Sequence, residues 1–268
     1  PVSLIDKIIC KLSDYTEKNQ IISDVGSVKN MCEKKTLKLN DKKFSLVPGH
    51  PIAGTEHSGA KNAFNNLFQD KWCILTPISD NKKSIRIISE IWKRIGMKVA
   101  KMKVDEHDKI MSITSHLPHL IAFTIVGTAF NLNIKKKNEL INFAAGGFKD
   151  FTRIGSSDPK MWTDIFLKNK EFLKNTLSLF LKDIEKIKKL IEDEKYSKIF
   201  RLLKRTKEIR NSIIKKRICT KNLQKIKQSG DKTNKKKQHK KKFHANFFWS
   251  SIYETLPHGV ENEQPNYL

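Results

Sequence analysis

Apolar and polar positions alternate in two different ways along the chain, and the change falls near residue 104. Before it, short apolar runs rich in β-branched residues predict strands at residues 21–25, 44–47, 73–76 and 98–102. Amphipathic spacing between these runs predicts helices at residues 4–12, 60–68 and 84–95. Strands that alternate with helices indicate an α/β domain with a largely parallel sheet.

After residue 104 the pattern is helical only. Long apolar-periodic segments cover residues 105–132, 158–193 and 195–217, with breaks at Gly146-Gly147 and at Pro159. We therefore predict an α/β domain over residues 1–104 and a helical domain over residues 105–217. No uninterrupted apolar run approaches the roughly 18 residues of a membrane span, so we expect a cytoplasmic protein without a membrane partner.

Residues 218–268 are polar, rich in lysine and without a periodic apolar face, which predicts a disordered tail. The net charge of the chain is +25, and residues 195–242 alone hold 20 Lys and Arg against two acidic residues. This charge is either a solvated surface or a binding site for nucleic acid or acidic partners. A non-catalytic basic protein is thus the alternative function, although the tail lacks the interleaved aromatic residues typical of single-strand binding.

One histidine lies in a rigid turn directly after a predicted strand. Residues 44–47 are followed by Pro48-Gly49-His50-Pro51, and the strand is predicted to end at His50. Ligands of open α/β sheets bind beyond such strand ends. His50 is either a structural residue of the loop or an acid/base group.

A second turn follows the strand at residues 21–25, with the sequence Asp24-Val25-Gly26-Ser27-Val28-Lys29. Ser27 could orient the imidazole of His50 if the two turns are neighbours. It could equally cap the helix that is predicted to follow.

The first long helix carries a cluster of polar residues beside a proline. Ser115 and His119 are one turn apart on the same face. Pro118 removes the donor that would bond the Thr114 carbonyl, so we predict a kink that leaves polar groups facing a cavity. His116 and His119 are either a buried hydrogen-bonded pair or metal ligands. Neither the sequence around these two histidines nor the four widely spaced cysteines supplies a further ligand, so no metal is expected.

Arg153 follows the Gly146-Gly147 break and lies between aromatic residues. A fixed guanidinium suits the bidentate capture of a carboxylate. The other interpretation is an ion pair within the protein, with Asp150 or Glu56.

Four segments occur in a fixed order: D-V-G-S-V-K, G-H-P-I-A-G-T-E, D-E-H-D with S-H-L-P-H, and G-G-F-K-D-F-T-R-I with S-D-P-K-M-W. In this order they resemble the prephenate dehydrogenase family, including its arogenate and cyclohexadienyl dehydrogenase members. The resemblance implies oxidative decarboxylation of prephenate or arogenate with NAD or NADP in tyrosine biosynthesis. It also implies a Rossmann domain followed by an all-helical domain that forms a homodimer.

The resemblance assigns roles to individual residues. His50 matches the catalytic histidine, which takes a proton from the ring hydroxyl of the substrate, and Ser27 matches a serine that helps to hold that hydroxyl. Arg153 matches the main anchor of a substrate carboxylate. The other positions of the substrate pocket are Thr55, Glu56, Ser115, His119 and Trp162.

The sequence departs from the family pattern at its start. Family members begin with a strand and a G-x-G-x-x-G turn that binds the dinucleotide pyrophosphate, and this sequence contains no such turn. We therefore expect a partial Rossmann domain, in a fragment that lacks the pyrophosphate loop. The residues that hold the dinucleotide are left unassigned.

Overall fold

The computed structural model describes residues 1–17, 19–30, 34–40, 43–55, 59–131 and 146–230. Contacts within the chain divide it after Glu194 into two units, Pro1–Glu194 and Lys195–Leu268. Every element of the candidate site lies in the first unit.

Short strands in two small sheets form the frame of the α/β part. Strands β1 (Gln20–Ile22) and β2 (Phe44–Leu46) pair in parallel. In the second sheet β4 (Trp72–Leu75) is central, antiparallel to β3 (Gly49–Ile52) and parallel to β5 (Lys98–Lys101). The two sheets adjoin, because the backbone N–H of residue 49 donates to the carbonyl of residue 24 over 3.1 Å.

The helices of this part are α1 (Ile5–Leu12), α2 (Lys34–Leu39) and α3 (Lys82–Arg94). Asn81 caps α3, since its side chain accepts from the backbone N–H groups of the second and third residues that follow. The helix predicted at residues 60–68 does not form. Only a 3-10 turn, Ala60–Asn62, and further turns occur there, because side chains in this asparagine-rich stretch are mostly exposed and compete for helical hydrogen bonds.

The prediction that a strand ends at His50 is wrong, because His50 lies inside a separate strand. Strand β2 ends at Leu46, and His50 lies inside β3, opposite Ile74. Strand β3 is at the edge of its sheet, where Pro51 is tolerated. The proline therefore does not end the strand, and the sheet is mixed rather than largely parallel.

The second part of the first unit is helical, as predicted. Its α-helices are α4 (Val104–Met111), α5 (Leu117–Asn131), α6 (Gly146–Thr152), α7 (Pro159–Lys168) and α8 (Lys170–Glu192). A π-helical turn, Ser112–His116, joins α4 to α5, and the N–H of Leu117 donates to the Ser112 carbonyl five residues back. The predicted break near Pro118 thus takes the form of a π turn that lies directly before the proline.

The stretch Val104–Asn131 is long and apolar enough to cross a membrane by length and composition alone. The stretch contains no uninterrupted apolar run of that length, because threonines and histidines interrupt it. Core helices of soluble proteins have the same composition.

A cluster of apolar side chains joins the α/β part to the helices. Val2 and Val28 pack against Trp162 and Ile165 of α7. Helix α7 is fixed at its start by Asp158, whose carboxylate accepts from the backbone N–H three residues on over 2.7 Å. Two further clusters lie beneath β2 and around β4. Residues from both parts of the unit are therefore held together beside the candidate site.

In the second unit, helix α9 (Tyr196–Gly230) continues beyond residue 218, where the sequence predicts that order ends. The rest of the predicted tail, residues 231–268, lies outside the described residues.

Candidate active site

A chain of hydrogen bonds runs from a buried carboxylate to His50. The Nδ1 atom of His50 lies 2.8 Å from Nε2 of His107, and Nδ1 of His107 lies 2.7 Å from Oδ1 of Asp108. His107 and Asp108 are fully buried on α4, and His50 is partly exposed on β3. Strand and helix therefore contribute to one relay.

The order of donors fixes the proton positions. A carboxylate only accepts, so Nδ1 of His107 carries its proton and, with one proton on that ring, Nε2 accepts. His50 must then donate through Nδ1. The remaining nitrogen, Nε2 of His50, is left with a lone pair and can accept a proton from a ligand.

Backbone groups hold the far end of the relay. The N–H groups of Lys29 and Asn30 donate to the two oxygens of Asp108 over 2.9 and 2.7 Å. They belong to the turn that follows β1. The turn after one strand thus fixes the carboxylate that orients a histidine on another strand.

His50 is held in its neutral form. Burial lowers its pKa well below the usual value, and the nearby rings of His107 and His116 and the ammonium of Lys29 lower it further. A neutral imidazole with a free Nε2 is a competent general base at neutral pH.

His119 offers a second acceptor of the same kind. Its Nδ1 donates to the backbone carbonyl of Ser115 over 2.8 Å, which leaves Nε2 with a lone pair. The ring stacks on Trp162 with centroids 3.7 Å apart. Burial lowers the pKa of His119, and the charge of Arg153 lowers it further although the Ser115 carbonyl opposes the change.

His116 is fully buried and lies near the rings of both His107 and His119. Asn169, at the junction of α7 and α8, donates through Nδ2 to His116 Nδ1 and to the backbone carbonyl of Asp108, both over 2.9 Å. Burial lowers the pKa of His116 to about 4. Nδ1 thus accepts a hydrogen bond in His116 and donates one in His119, so each histidine is hydrogen-bonded within the fold.

Arg153 lies in the 3-10 turn Arg153–Ser156, close enough to His119 to affect its charge. Gly155 lets this turn approach α5, because a Cβ at that position would be 3.2 Å from the backbone of Ala122. Arg153 itself is exposed. A guanidinium and a neutral histidine are thus placed on neighbouring elements.

The remaining predicted residues differ in how far the structure places them. Ser27 is half-buried in the turn after β1, but the hydrogen bond that orients His50 comes from His107. Thr55 is exposed just after β3. Glu56 lies outside the described residues, and Asp150 is exposed on α6.

Two family models match the chain. Residues 1–101 match the one described as prephenate dehydrogenase, nucleotide-binding domain, and residues 103–205 match prephenate dehydrogenase, dimerization domain. The chain belongs to the prephenate dehydrogenase family. The order of an α/β nucleotide-binding part and a helical part, predicted from the sequence, is thereby confirmed.

Individual members of the prephenate dehydrogenase family are similar over most of the chain. The cyclohexadienyl dehydrogenase of Zymomonas mobilis is 35% identical over 195 residues, which are 72% of this chain and 66% of that protein. The prephenate dehydrogenase of Bacillus subtilis is 34% identical over 199 residues, 74% of this chain and 53% of that protein. The chain therefore spans less than two thirds of the length of these relatives.

Solved structures of the family share the fold. The prephenate dehydrogenase of A. aeolicus, in complex with hydroxyphenyl propionate and NAD+, has a TM-score of 0.72 and 38% identity, covering 80% of this chain and 74% of that one. The arogenate dehydrogenase of Synechocystis has a TM-score of 0.68 and 25% identity, covering 79% and 76%.

Sequence reasoning gave no individual role to Lys29, His107, Asp108 or Asn169. The segments D-V-G-S-V-K and D-E-H-D contain three of these four residues. Their pairing across 79 positions, from Lys29 to Asp108, is visible only in the fold. Asn169 does leave a local signal, since it interrupts the apolar periodicity between residues 158 and 193.

Proposed function

We propose that the chain carries the substrate-binding and proton-transfer residues of an enzyme that oxidatively decarboxylates prephenate or arogenate with NAD or NADP. The observation that carries the proposal is the relay from Asp108 through His107 to His50, which ends in a free Nε2 acceptor. The family to which the chain belongs supplies the substrate class.

His50 acts as the general base in this proposal. Its Nε2 accepts the proton of the ring hydroxyl while hydride leaves the carbon that bears this hydroxyl. His107 keeps the accepting nitrogen deprotonated and correctly turned, and Asp108 stabilises the positive charge that then develops. Loss of carbon dioxide makes the ring aromatic, and base assistance of this kind contributes about 10²- to 10⁴-fold to the rate.

Arg153 and His119 bind the substrate. Arg153 pairs with a carboxylate, and a charge-assisted bond of this type contributes about 1.5–3 kcal/mol. His119, held by Ser115 and stacked on Trp162, accepts a hydrogen bond through Nε2. We assign Thr55, Ser27 and Glu56 to the same pocket from the family resemblance.

Hydride is accepted by a nicotinamide ring when the dinucleotide is bound. The described residues fit this end of the cofactor, because residues 24–27 form the turn at the carboxyl end of the parallel strand β1. In that turn Asp24 Oδ2 is buried and has no hydrogen-bond partner among the described residues, so it can accept from a carboxamide. Gly26 and Gly49 lack a Cβ, which lets the chain segments around this turn pack closely together.

We also propose that the helical part forms a homodimer. Helices α5 and α8 carry large apolar side chains that are 38–64% exposed in the single chain, namely Ile125, Phe130, Leu179, Leu181 and Ile184. Exposed apolar surface on this scale marks an interaction face. The second family model, a dimerization domain, covers these helices.

An assay of the purified natural protein with prephenate or arogenate, each with NAD and NADP, tests the proposal. We expect reduced nicotinamide and carbon dioxide in equal amounts from one of the four combinations. His50→Asn should lower kcat by on the order of 10²-fold or more, and Lys93→Met, on the exposed face of α3, should not. Activity on neither substrate, with a folded protein, would refute the proposed function.

A further inference from the structure

A buried ion pair lies directly behind His50. The ammonium of Lys29 is 2.5 Å from Oδ1 of Asp24, and the two side chains are 0% and 8% exposed. The same Nζ donates to the backbone carbonyl of Gly49 over 2.6 Å. That carbonyl belongs to the peptide bond that enters His50, so a fixed positive charge is bound one peptide away from the imidazole.

The backbone of Lys29 holds the other end of the relay. Its N–H donates to Oδ1 of Asp108, the oxygen that also accepts from His107. Lys29 therefore forms hydrogen bonds at both ends of the relay that orients His50, to Gly49 and to Asp108. Its side chain fixes the strand that carries the base, and its backbone fixes the carboxylate that sets the direction of the relay.

Stability alone is a poor explanation for this pair. The free energy needed to remove an ammonium and a carboxylate from water is about as large as the free energy that their attraction contributes. Well-packed apolar residues often stabilise a protein equally well. A buried cation does, however, have a definite effect on a neighbouring imidazole, because it repels a second positive charge.

We propose that Lys29 is a positioning residue that holds the Gly49–His50 peptide and keeps the imidazole of His50 unprotonated. The inference deepens the proposed function, since it concerns the group assigned there as the base. Lys29 touches neither of the reacting atoms and acts only through His50.

The other groups that face His50 either act in the same direction as Lys29 or are uncharged. The rings of His107 and His116 also disfavour a charged His50, and Asp108 lies behind His107. The thiol of Cys73, which meets the backbone of His50, is uncharged because burial raises its pKa to about 11. Asp24 offsets part of the Lys29 charge but interacts with the ammonium rather than with the imidazole.

The test is an NMR titration of the His50 Cε1–H signal in the 268-residue chain, assigned with His50→Gln. Lys29→Met removes the charge, and the double variant Asp24→Asn/Lys29→Met removes it without leaving a lone buried carboxylate. Lys29→Arg keeps the charge, and Lys93→Met removes a lysine from an exposed pair with Glu90.

We expect the midpoint of the His50 titration to move to higher pH in Lys29→Met and in the double variant. It should stay near the wild-type value in Lys29→Arg and be unchanged in Lys93→Met. In the natural protein, the acidic limb of the kcat/KM profile should move in the same direction.

An unchanged midpoint in the folded double variant overturns the proposal. If neither variant folds, the wild-type chain decides, because a His50 midpoint at or above the ordinary value of about 6.5 overturns it as well. The titration needs neither substrate nor cofactor. A shifted midpoint in a protein that oxidises neither prephenate nor arogenate would therefore refute the proposed function and leave the electrostatic role of Lys29 in place.

Discussion

Replacing His107 with leucine should prevent His50 from acting as a base, although His50 itself is unchanged. In the wild type the Nδ1 proton of His50 has an acceptor 2.8 Å away, which favours the tautomer with a free Nε2. Leucine leaves that proton buried without a partner, at a cost of about 1–3 kcal/mol. The imidazole then prefers the opposite tautomer, with the proton on Nε2, and the population of the competent base falls by about 5- to 150-fold.

The assay is the turnover number of the natural protein with saturating prephenate or arogenate, followed by absorbance of the reduced nicotinamide. His107→Gln is the matched control, because its amide oxygen can still accept from His50 and should restore part of the loss. Thermal unfolding followed by circular dichroism shows whether both variants fold. A folded His107→Leu variant with wild-type turnover, beside an inactive His50→Asn variant, would refute the relay.

Four further outcomes are expected. Arg153→Ala should raise KM by about 10- to 100-fold with little change in kcat, and a normal KM with a collapsed kcat would contradict a binding role. Gly155→Ala should lower the free energy of unfolding by about 1–3 kcal/mol in urea denaturation, because the new Cβ would be 3.2 Å from the backbone of Ala122; unchanged stability would show that the turn can move. The free energy of unfolding should fall as pH decreases from 6.5 towards about 4, because the unfolded chain protonates His116 while burial keeps the folded chain from doing so, and His116→Gln should flatten this slope. Leu179→Glu should convert a dimer into a monomer in sedimentation, whereas a wild-type monomer at micromolar concentration would contradict the proposed interface.

Local pattern predicted the elements of the fold better than their pairing. The strands at β1, β2, β4 and β5 and the helical second part follow from apolar periodicity. Strand β3 was missed because Pro51 is a strong signal for the end of a strand, and only its place at the sheet edge makes it acceptable there. The helix predicted at residues 60–68 does not form. Its apolar spacing is helical, but little in the fold covers its apolar face.

The candidate site shows the same division. His50 and His119 stand out in the sequence because each lies next to a proline that constrains the backbone, and Arg153 because it follows the Gly146-Gly147 break. The relay could not be predicted, because His107 is 57 positions from His50 and nothing local indicates which helix meets which strand. The sequence suggested Ser27 as the residue that orients His50, since it is the nearest polar side chain in a neighbouring turn, and the structure gives that contact to a histidine on α4.

The π turn between α4 and α5 sets the directions in which His107 and His119 point around the helix axis. His107 and His119 are twelve residues apart, so a continuous α-helix would point them about 120° apart around its axis. The one residue that a π turn adds takes back about 100° of that rotation, which leaves the two rings within about 20° of each other. His107, which bonds to His50, and His119 can thus share one side of a single helical rod. Straightening Ser112–His116 into a regular α-helix of the same length would retain both histidines and still turn one of them away by about 100°, so the π form of this stretch defines the site as much as its side chains do.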